Sequence, residues 1–315
     1  MRLLPLLFLF FLIQCSPVSR SSLERPKLEN GFEYYSASID SLNKGAYSSA
    51  LQLVKEAIKL NPNYAKFYLL EGDLYTELSS PKEALNSYLK AIKLRSSYVE
   101  AYFRIATIYE KEYKNYEEAI KYYRRSYAVD KSNRKLIINI GECYVSSGEI
   151  TLAKHKAEEY KKIIESENKS LSFDYFYLNA KISYSQKDYA AAKSDLERAI
   201  KINPRHFDAK LLLVKCLFET DNPEEGLKYA NELMKLNDTV GEVYYFRALY
   251  YFSRNKFKDS LGLFEQALAL DGSLLKSHYY LGKIYEALGD KEKSLKHLQL
   301  FRQSMNQENN IIELR

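Results

Sequence analysis

The sequence contains no Trp, and only three Cys and four His occur among its 315 residues. Three cysteines supply neither a disulfide framework nor the paired spacing of a zinc site. The sequence predicts no strand, and no Gly-rich phosphate loop of the kind that follows a strand is present. The histidines share no ligand spacing, and none has a Ser or Cys arranged as a nucleophile beside a base; they are His155, His206, His278 and His297. We therefore expect no metal, no cofactor and no enzymatic activity.

A large excess of one charge is also missing. The chain has 47 Lys and Arg against 41 Asp and Glu, for a net charge of +6 at pH 7. The basic residues are dispersed, and no cluster of them falls on one predicted helical face, which argues against a nucleic-acid partner. The N-terminus carries a pronounced apolar run, residues 3–13.

That run follows an early positive charge and ends two residues before Cys15. It is shorter than the roughly 20 residues that a spanning helix needs, so residues 1–14 are predicted to be an export signal. The ending LIQC resembles a bacterial lipobox, although Gln14 departs from the small residue usual at its position. The resemblance implies cleavage before Cys15 and attachment of lipid, such as palmitate, to it. Ordinary secretion and an uncleaved anchor are the alternatives.

Residues 15–30 are predicted to tether that anchor to the folded part. The segment after Cys15 is polar, contains Pro17 and Pro26 and shows no helical stripe, which is typical of a flexible linker. Ser16 is not the Asp that retains many bacterial lipoproteins at the inner membrane, so the lipobox resemblance implies the outer membrane. We expect a lipid-anchored protein of the bacterial cell envelope, on either its periplasmic or its surface face.

From residue 31 onward the sequence repeats itself with a period close to 34 residues. Small residues let two antiparallel helices approach closely, and aromatic side chains fill the space between them. In residues 68–91 these positions are Tyr68, Gly72, Tyr75, Ala84, Tyr88 and Ala91. The pattern resembles the signature of the tetratricopeptide repeat (TPR) family. The resemblance implies an all-α solenoid of about eight helical hairpins wound into a right-handed superhelix.

Aligned on this pattern, the repeats begin near Gly31, Ala65, Val99, Arg134, Phe173, Phe207, Gly241 and Leu275. Repeats 1–4 are predicted in residues 31–164 and repeats 5–8 in residues 173–304. The sixth repeat is the weakest match, because Lys210, Val214, Leu217 and Gly226 replace its signature residues. Residues 305–315 are predicted to be a polar tail or a short capping helix.

Cys143 and Cys216 both fall at the tenth position of their repeats, two hairpins apart. Helix packing then separates them by roughly 20 Å, whereas a disulfide needs α-carbons within about 7 Å. We expect both to be small, buried apolar residues.

Residues 165–172, ESENKSLS, are a polar insert that lengthens the fourth interval beyond the period. One interpretation is a joint at which the superhelix changes direction. The other is an exposed loop without consequence, and the sequence favours neither.

The first helix of each hairpin is expected to line the concave face, with its second, fifth, ninth and twelfth residues pointing into it. The fifth residues are apolar or aromatic throughout: Tyr35, Leu69, Phe103, Ile138, Tyr177, Leu211, Tyr245 and Tyr279. The ninth residues place acids in the first half and lysines in the second: Ile39, Asp73, Thr107, Glu142, Lys181, Lys215, Leu249 and Lys283. We predict a polarised groove that binds a peptide or helix through aromatic anchors. The alternative is that some fifth-position residues only pack against a neighbouring helix.

Chaperone-binding TPR domains grip a terminal carboxylate with a fixed set of Lys, Asn and Arg residues from three consecutive repeats. No three repeats here carry that set, and Arg104 alone stands at a clamp-like position. The resemblance therefore implies a TPR lipoprotein that binds another kind of protein partner, in envelope assembly, pilus assembly or secretion. A self-associating structural lipoprotein and an enzyme accessory protein linked to cell-wall glycan are the alternatives.

Overall fold

The computed structural model describes residues 30–313, with side chains described to residue 305. Over that range the chain forms sixteen α-helices and no strand, which confirms the predicted fold class. They are α1 (Gly31–Asn43), α2 (Tyr47–Leu60), α3 (Ala65–Glu77), α4 (Pro81–Leu94), α5 (Val99–Lys111), α6 (Tyr116–Val129), α7 (Lys135–Ser146), α8 (Ile150–Ser166), α9 (Phe173–Ser185), α10 (Tyr189–Ile202), α11 (Phe207–Glu219), α12 (Pro223–Leu236), α13 (Gly241–Ser253), α14 (Phe257–Leu270), α15 (Lys276–Ala287) and α16 (Lys291–Glu313). The predicted export signal, Cys15 and the tether up to residue 29 lie outside the described residues.

Odd-numbered helices pair with the even-numbered helices that follow them, and each pair is one hairpin. The turn between the two helices of each hairpin contains one residue in the left-handed region, with φ between 51° and 83°. The residues are Gly45, Ser79, Lys114, Gly148, Lys187, Asp221, Asn255 and Gly289. Glycine adopts this conformation freely, whereas the other residue types pay a conformational cost for it. In five of the hairpins a residue other than glycine adopts this conformation, so the geometry of the tight turn outweighs the conformational preference of that residue.

The helices of a hairpin touch where the repeat pattern places small residues. A Cβ added to Gly72 in α3 would lie 2.4 Å from Cε1 of Tyr88 in α4, so no larger residue fits there without movement. Tyr88 is itself fully buried, and so is Ala84 one turn earlier. The predicted packing of a small residue against an aromatic ring is confirmed in this hairpin.

The small position near the start of the second helix is buried in every hairpin. Its occupants are Ala50, Ala84, Ala119, Ala153, Ala192, Gly226, Ser260 and Ser294. In the seventh hairpin the hydroxyl of Ser260 donates a hydrogen bond of 2.9 Å to the carbonyl oxygen of Ala248, which satisfies its burial. The sixth repeat also forms a complete hairpin, α11 with α12, although its signature residues are replaced.

Packing changes at the polar insert 165–172. Helix α8 continues to Ser166, so it has 17 residues where α2, α4 and α6 have 14 each. After the insert, α9 packs against α7 as well as α8. Leu178 of α9 occupies the place opposite Gly141, whose added Cβ would lie 2.7 Å from Cδ2 of that leucine. Gly72 and Gly282 instead face side chains of their own second helix.

Two ion pairs lie near this contact. Arg134 pairs with Glu167 at 3.0 Å, and Lys135 pairs with Asp174 at 3.1 Å. The first pair joins the two ends of the fourth hairpin beside the insert, and the second joins α7 to α9.

The last helix, α16, runs to Glu313 and so includes most of the segment predicted as a tail or cap. None of the helices between residues 30 and 313 is long and apolar enough to cross a bilayer. Cys143 and Cys216 are buried free thiols, as predicted. Burial raises the pKa of each to about 12, which keeps both thiols protonated.

Candidate functional site

The eight fifth-position residues do not form one exposed column. Ile138 is 1% exposed and Leu211 is 8% exposed, so the prediction that these two line a groove is wrong. Ile138 lies on α7, which α9 covers in addition to α6 and α8. Leu211 packs in a core cluster with residues of α12 and α13. Tyr279 is 40% exposed.

All five aromatic fifth-position residues pack against rings of the same or a neighbouring helix, and Tyr35, Phe103 and Tyr177 illustrate this. Tyr35 stacks on Phe67, with ring centroids 5.0 Å apart. Phe103 lies 5.7 Å from Tyr123, the buried aromatic residue of its own hairpin. Tyr177 contacts the ring of Phe173. Such contacts match the alternative that these residues stabilise the array. Leu69 likewise packs at the edge of the core.

The ninth-position charges of the first half have partners inside the protein. Asp73 accepts a 2.8 Å hydrogen bond from the hydroxyl of Tyr88 and pairs with Arg104 at 3.0 Å. Glu142 on α7 and Lys181 on α9 pair with each other at 2.6 Å. One of the ninth-position acids and one of the ninth-position lysines thus neutralise each other. The change from acids to lysines along the sequence therefore does not by itself polarise a groove.

The ninth-position lysines of the second half are also paired. Lys215 on α11 pairs with Glu242 on α13 at 2.7 Å. Lys283 pairs with Glu286 one turn later in its own helix, at 3.0 Å. Lys215 remains part of a surface that a ligand can reach, because this pair lies on the wall of a cleft.

A cleft of about 770 Å³ opens on the face formed by the first helices of repeats 5–8. It is walled by α9, α11, α13 and α15, and α16 contributes residues at one end. Its volume is in the range of ligand-binding sites. The apolar residues of its lining are Tyr184, Phe218, Pro223, Tyr245, Phe246, Leu249, Phe252, Leu274, Leu275, Tyr280, Phe301 and Met305.

The rings of this cleft contact one another across hairpin boundaries. Phe218 of α11 lies 5.2 Å from Phe246 of α13. Tyr280 of α15 lies 5.1 Å from Phe252 and 6.2 Å from Tyr245, both of α13. Because the rings of three successive hairpins hold one another in place, the lining is preorganised for an apolar ligand.

The tyrosines of the cleft sit near a carboxylate. Burial, and then the charge of Glu219, raises the pKa of Tyr184 to about 12. Burial also raises the pKa of Tyr245, with contributions from Tyr280 and Glu219. Burial also raises the pKa of Tyr280, to which Glu219 adds. These phenols therefore remain protonated and can donate hydrogen bonds at neutral pH.

Sequence reasoning found only Tyr245, Lys215 and Leu249 of this lining. The missed signal is the twelfth position of the first helix, which is aromatic in repeats 5, 6 and 7: Tyr184, Phe218 and Phe252. In repeats 1–4 the same position holds Leu42, Thr76, Glu110 and Val145. The twelfth position had been expected to face the groove, so reading its residues would have placed the site in the second half.

Metal-ligating groups are sparse in the described part of the chain. Among residues 30–305, no group of three His, Cys, Asp or Glu side chains could hold a metal ion. His278 of α15 and His297 of α16 form one pair of neighbouring imidazoles, with their Nδ1 atoms 3.0 Å apart. The chemistry of the cleft is that of a binding surface with aromatic rings, phenols and a few carboxylates.

Family models match much of the array. Models described as tetratricopeptide repeat match residues 99–133, 183–250 and 245–307, and one described as TPR repeat matches residues 72–112. A TPR repeat-containing protein of Methanocaldococcus jannaschii is 24% identical over 274 residues, covering 70% of this chain and 47% of that protein. The chain spans between about a quarter and a half of the curated relatives it matches first, at 47%, 26% and 24% of their lengths.

Solved structures share the fold at low identity. A tetratricopeptide repeat protein from Parabacteroides merdae superposes with a TM-score of 0.65 and 17% identity, covering 81% of this chain and 98% of that one. PilW, described as a widely conserved type IV pilus biogenesis factor, superposes with a TM-score of 0.57 and 15% identity, covering 68% of this chain and 96% of that one. At these identities the likeness shows the fold alone.

Proposed function

The chain belongs to the tetratricopeptide repeat family, and on that premise we propose that it is a membrane-anchored adaptor that holds a segment of a protein partner in the aromatic cleft of repeats 5–8. We further propose that it acts by binding and not by catalysis. The single observation that supports this most is the cleft itself, in which rings from four successive hairpins line about 770 Å³.

An apolar segment of a partner suits this lining better than a small polar metabolite does. Aromatic residues in well-packed pockets contribute much of the binding energy at protein interfaces. The cleft crosses several helices, so it offers a series of side-chain sites along its length, as a bound helix or extended peptide requires. The phenol of Tyr184 supplies a hydrogen-bond donor for a polar group of such a segment.

The test places a photo-crosslinking amino acid in the cleft. p-Benzoylphenylalanine at Phe218 or Phe252 keeps an aromatic ring at each position, and the same residue at Leu152 of α8 is the control because Leu152 is exposed and lies outside the cleft. After irradiation in native membranes, we expect a discrete adduct with one protein from both cleft positions and none from Leu152. An identical adduct pattern from all three positions, or no adduct from any of them, would contradict the proposal that the cleft binds the partner.

Membrane anchorage is the second part of the proposal. It is supported by the resemblance of residues 12–15 to a lipobox. Metabolic labelling with an alkyne analogue of palmitate should label the wild-type protein and the Cys216→Ala variant equally, because Cys216 is buried. The Cys15→Ala variant should take up no label and leave the membrane fraction. Retention of label in that variant would exclude Cys15 as the acylated residue.

We place the partner in envelope assembly, pilus assembly or secretion, because an outer-membrane lipoprotein meets such machinery. The fold shared with PilW is compatible with this placement. Identification of the crosslinked protein by mass spectrometry tests it directly: a partner confined to the cytoplasm would contradict both the anchor and the assembly role.

A further inference from the structure

Two carboxylates at the α11 side of the cleft have no cation beside them. Glu219 is the last residue of α11, and Asp221 follows in the turn to α12; both line the cleft. Among the described residues, neither forms an ion pair, whereas the other acid of the lining, Glu242, is paired with Lys215. Two unneutralised negative charges next to an apolar lining favour a cationic ligand.

The aromatic faces of the cleft lack cations as well. Elsewhere in the array, Lys or Arg side chains lie over aromatic rings at 4.4–5.9 Å from the centroid, for example Lys181 over Tyr177 and Arg254 over Tyr250. No described Lys or Arg lies in this way over Tyr184, Tyr245 or Tyr280. These three rings of the cleft are therefore available to a cation supplied from outside.

The position of Glu219 connects the two observations. Glu219 is exposed and lines the same cleft as Tyr184 on α9, Tyr245 on α13 and Tyr280 on α15, and its charge contributes to the raised pKa of all three phenols. The unpaired cation of the lining, Lys276, lies on α15, with α13 between it and α11. The cleft is thus acidic on its α11 side and basic on its α15 side.

We propose that the α11 side of the cleft recognises a lysine or arginine side chain of the partner, with its charge paired to Glu219 and Asp221 and its aliphatic stem against the tyrosine rings. This rests on the proposed function, because it assumes that the cleft binds a protein segment. The partner segment carries a basic residue flanked by bulky apolar residues, and the basic residue points toward the α11 side. A ligand of this kind is opposite in charge to a terminal carboxylate.

The test uses a random 12-residue peptide library displayed on phage and panned against the full-length protein in detergent. Glu219→Gln with Asp221→Asn is the test variant. Glu77→Gln is the matched control, because Glu77 is the last residue of α3, the place that Glu219 has in α11. Cleft binding is verified by crosslinking of each selected peptide to p-benzoylphenylalanine at Phe252.

We expect peptides selected by the wild-type protein and by Glu77→Gln to share a Lys or Arg between apolar residues. Their Kd should rise about tenfold in the test variant, since the ion pairs with both carboxylates are lost together. Replacing the peptide's basic residue by Gln should weaken binding to the wild-type protein by a similar factor and change little in the test variant.

Selected peptides that crosslink at Phe252 but show no basic residue would overturn this inference and leave the proposed function intact. A Kd that the test variant leaves unchanged would do the same. If no peptide crosslinks at Phe252, both the inference and the proposed function fail.

Discussion

Replacing Gly72 by Ala should destabilise the second hairpin. The added Cβ would lie 2.4, 2.6 and 2.8 Å from three ring carbons of Tyr88. Ordinary carbon contacts lie at about 3.5 Å, so the ring would have to move by about 1 Å. Tyr88 is fully buried and its hydroxyl is held by Asp73 at 2.8 Å, so that movement is resisted.

The magnitude follows from two opposing contributions. Overpacking a buried site costs about 1–3 kcal/mol, while Ala in place of Gly within a helix returns about 1 kcal/mol. The difference between them is a fall of about 0–2 kcal/mol in the free energy of unfolding. The control is Gly262→Ala in α14, where an added Cβ meets no atom within 4 Å. That variant should gain about 0.5–1 kcal/mol.

The assay is urea unfolding followed by circular dichroism, with hydrogen exchange resolved by hairpin, because the stability of a repeat array is distributed over its units. Loss of protection in Gly72→Ala should centre on α3 and α4. In a Tyr88→Leu background the same Gly72→Ala change should cost nothing further, which a double-mutant cycle measures. The close-approach reasoning is wrong if Gly72→Ala gains stability as Gly262→Ala does.

Three other changes test the fold. Tyr123→Phe removes a 2.7 Å hydrogen bond to the buried carboxylate of Glu110 and should lower the free energy of unfolding by about 1.5–3 kcal/mol in urea titrations; an unchanged midpoint would contradict this. Lys187→Gly removes the strain of a non-glycine residue in the left-handed region. It should raise the free energy of unfolding by about 0.5–1 kcal/mol and with it the thermal midpoint; a lower midpoint would argue against strain at this turn. Burial lowers the pKa of both His278 and His297, so the unfolded chain binds more protons and stability should fall as pH drops below about 6.5. His297→Phe should make that decline shallower between about pH 7 and 5, and an equal slope would show that other groups cause it.

The hairpins could be read from the sequence because their contacts are local. Gly72 meets Tyr88 within one repeat, so the same small and aromatic spacing recurs wherever the same hairpin is built. Even the sixth repeat, with Gly226 in place of Ala, follows the period, because a buried small residue is all that the position requires. The all-α array and its repeat boundaries are consequences of that local chemistry.

The binding surface depends on contacts between hairpins, which the period does not report. Leu178 reaches Gly141 only because α9 packs on α7 after the insert, and this packing helps to cover Ile138. Whether a fifth-position residue is exposed is therefore decided by how neighbouring hairpins meet. The cleft likewise needs α9, α11, α13 and α15 side by side, with Phe301 of α16 at its end. A 34-residue pattern describes one hairpin, whereas the angle and distance between hairpins place side chains from distant repeats on one surface.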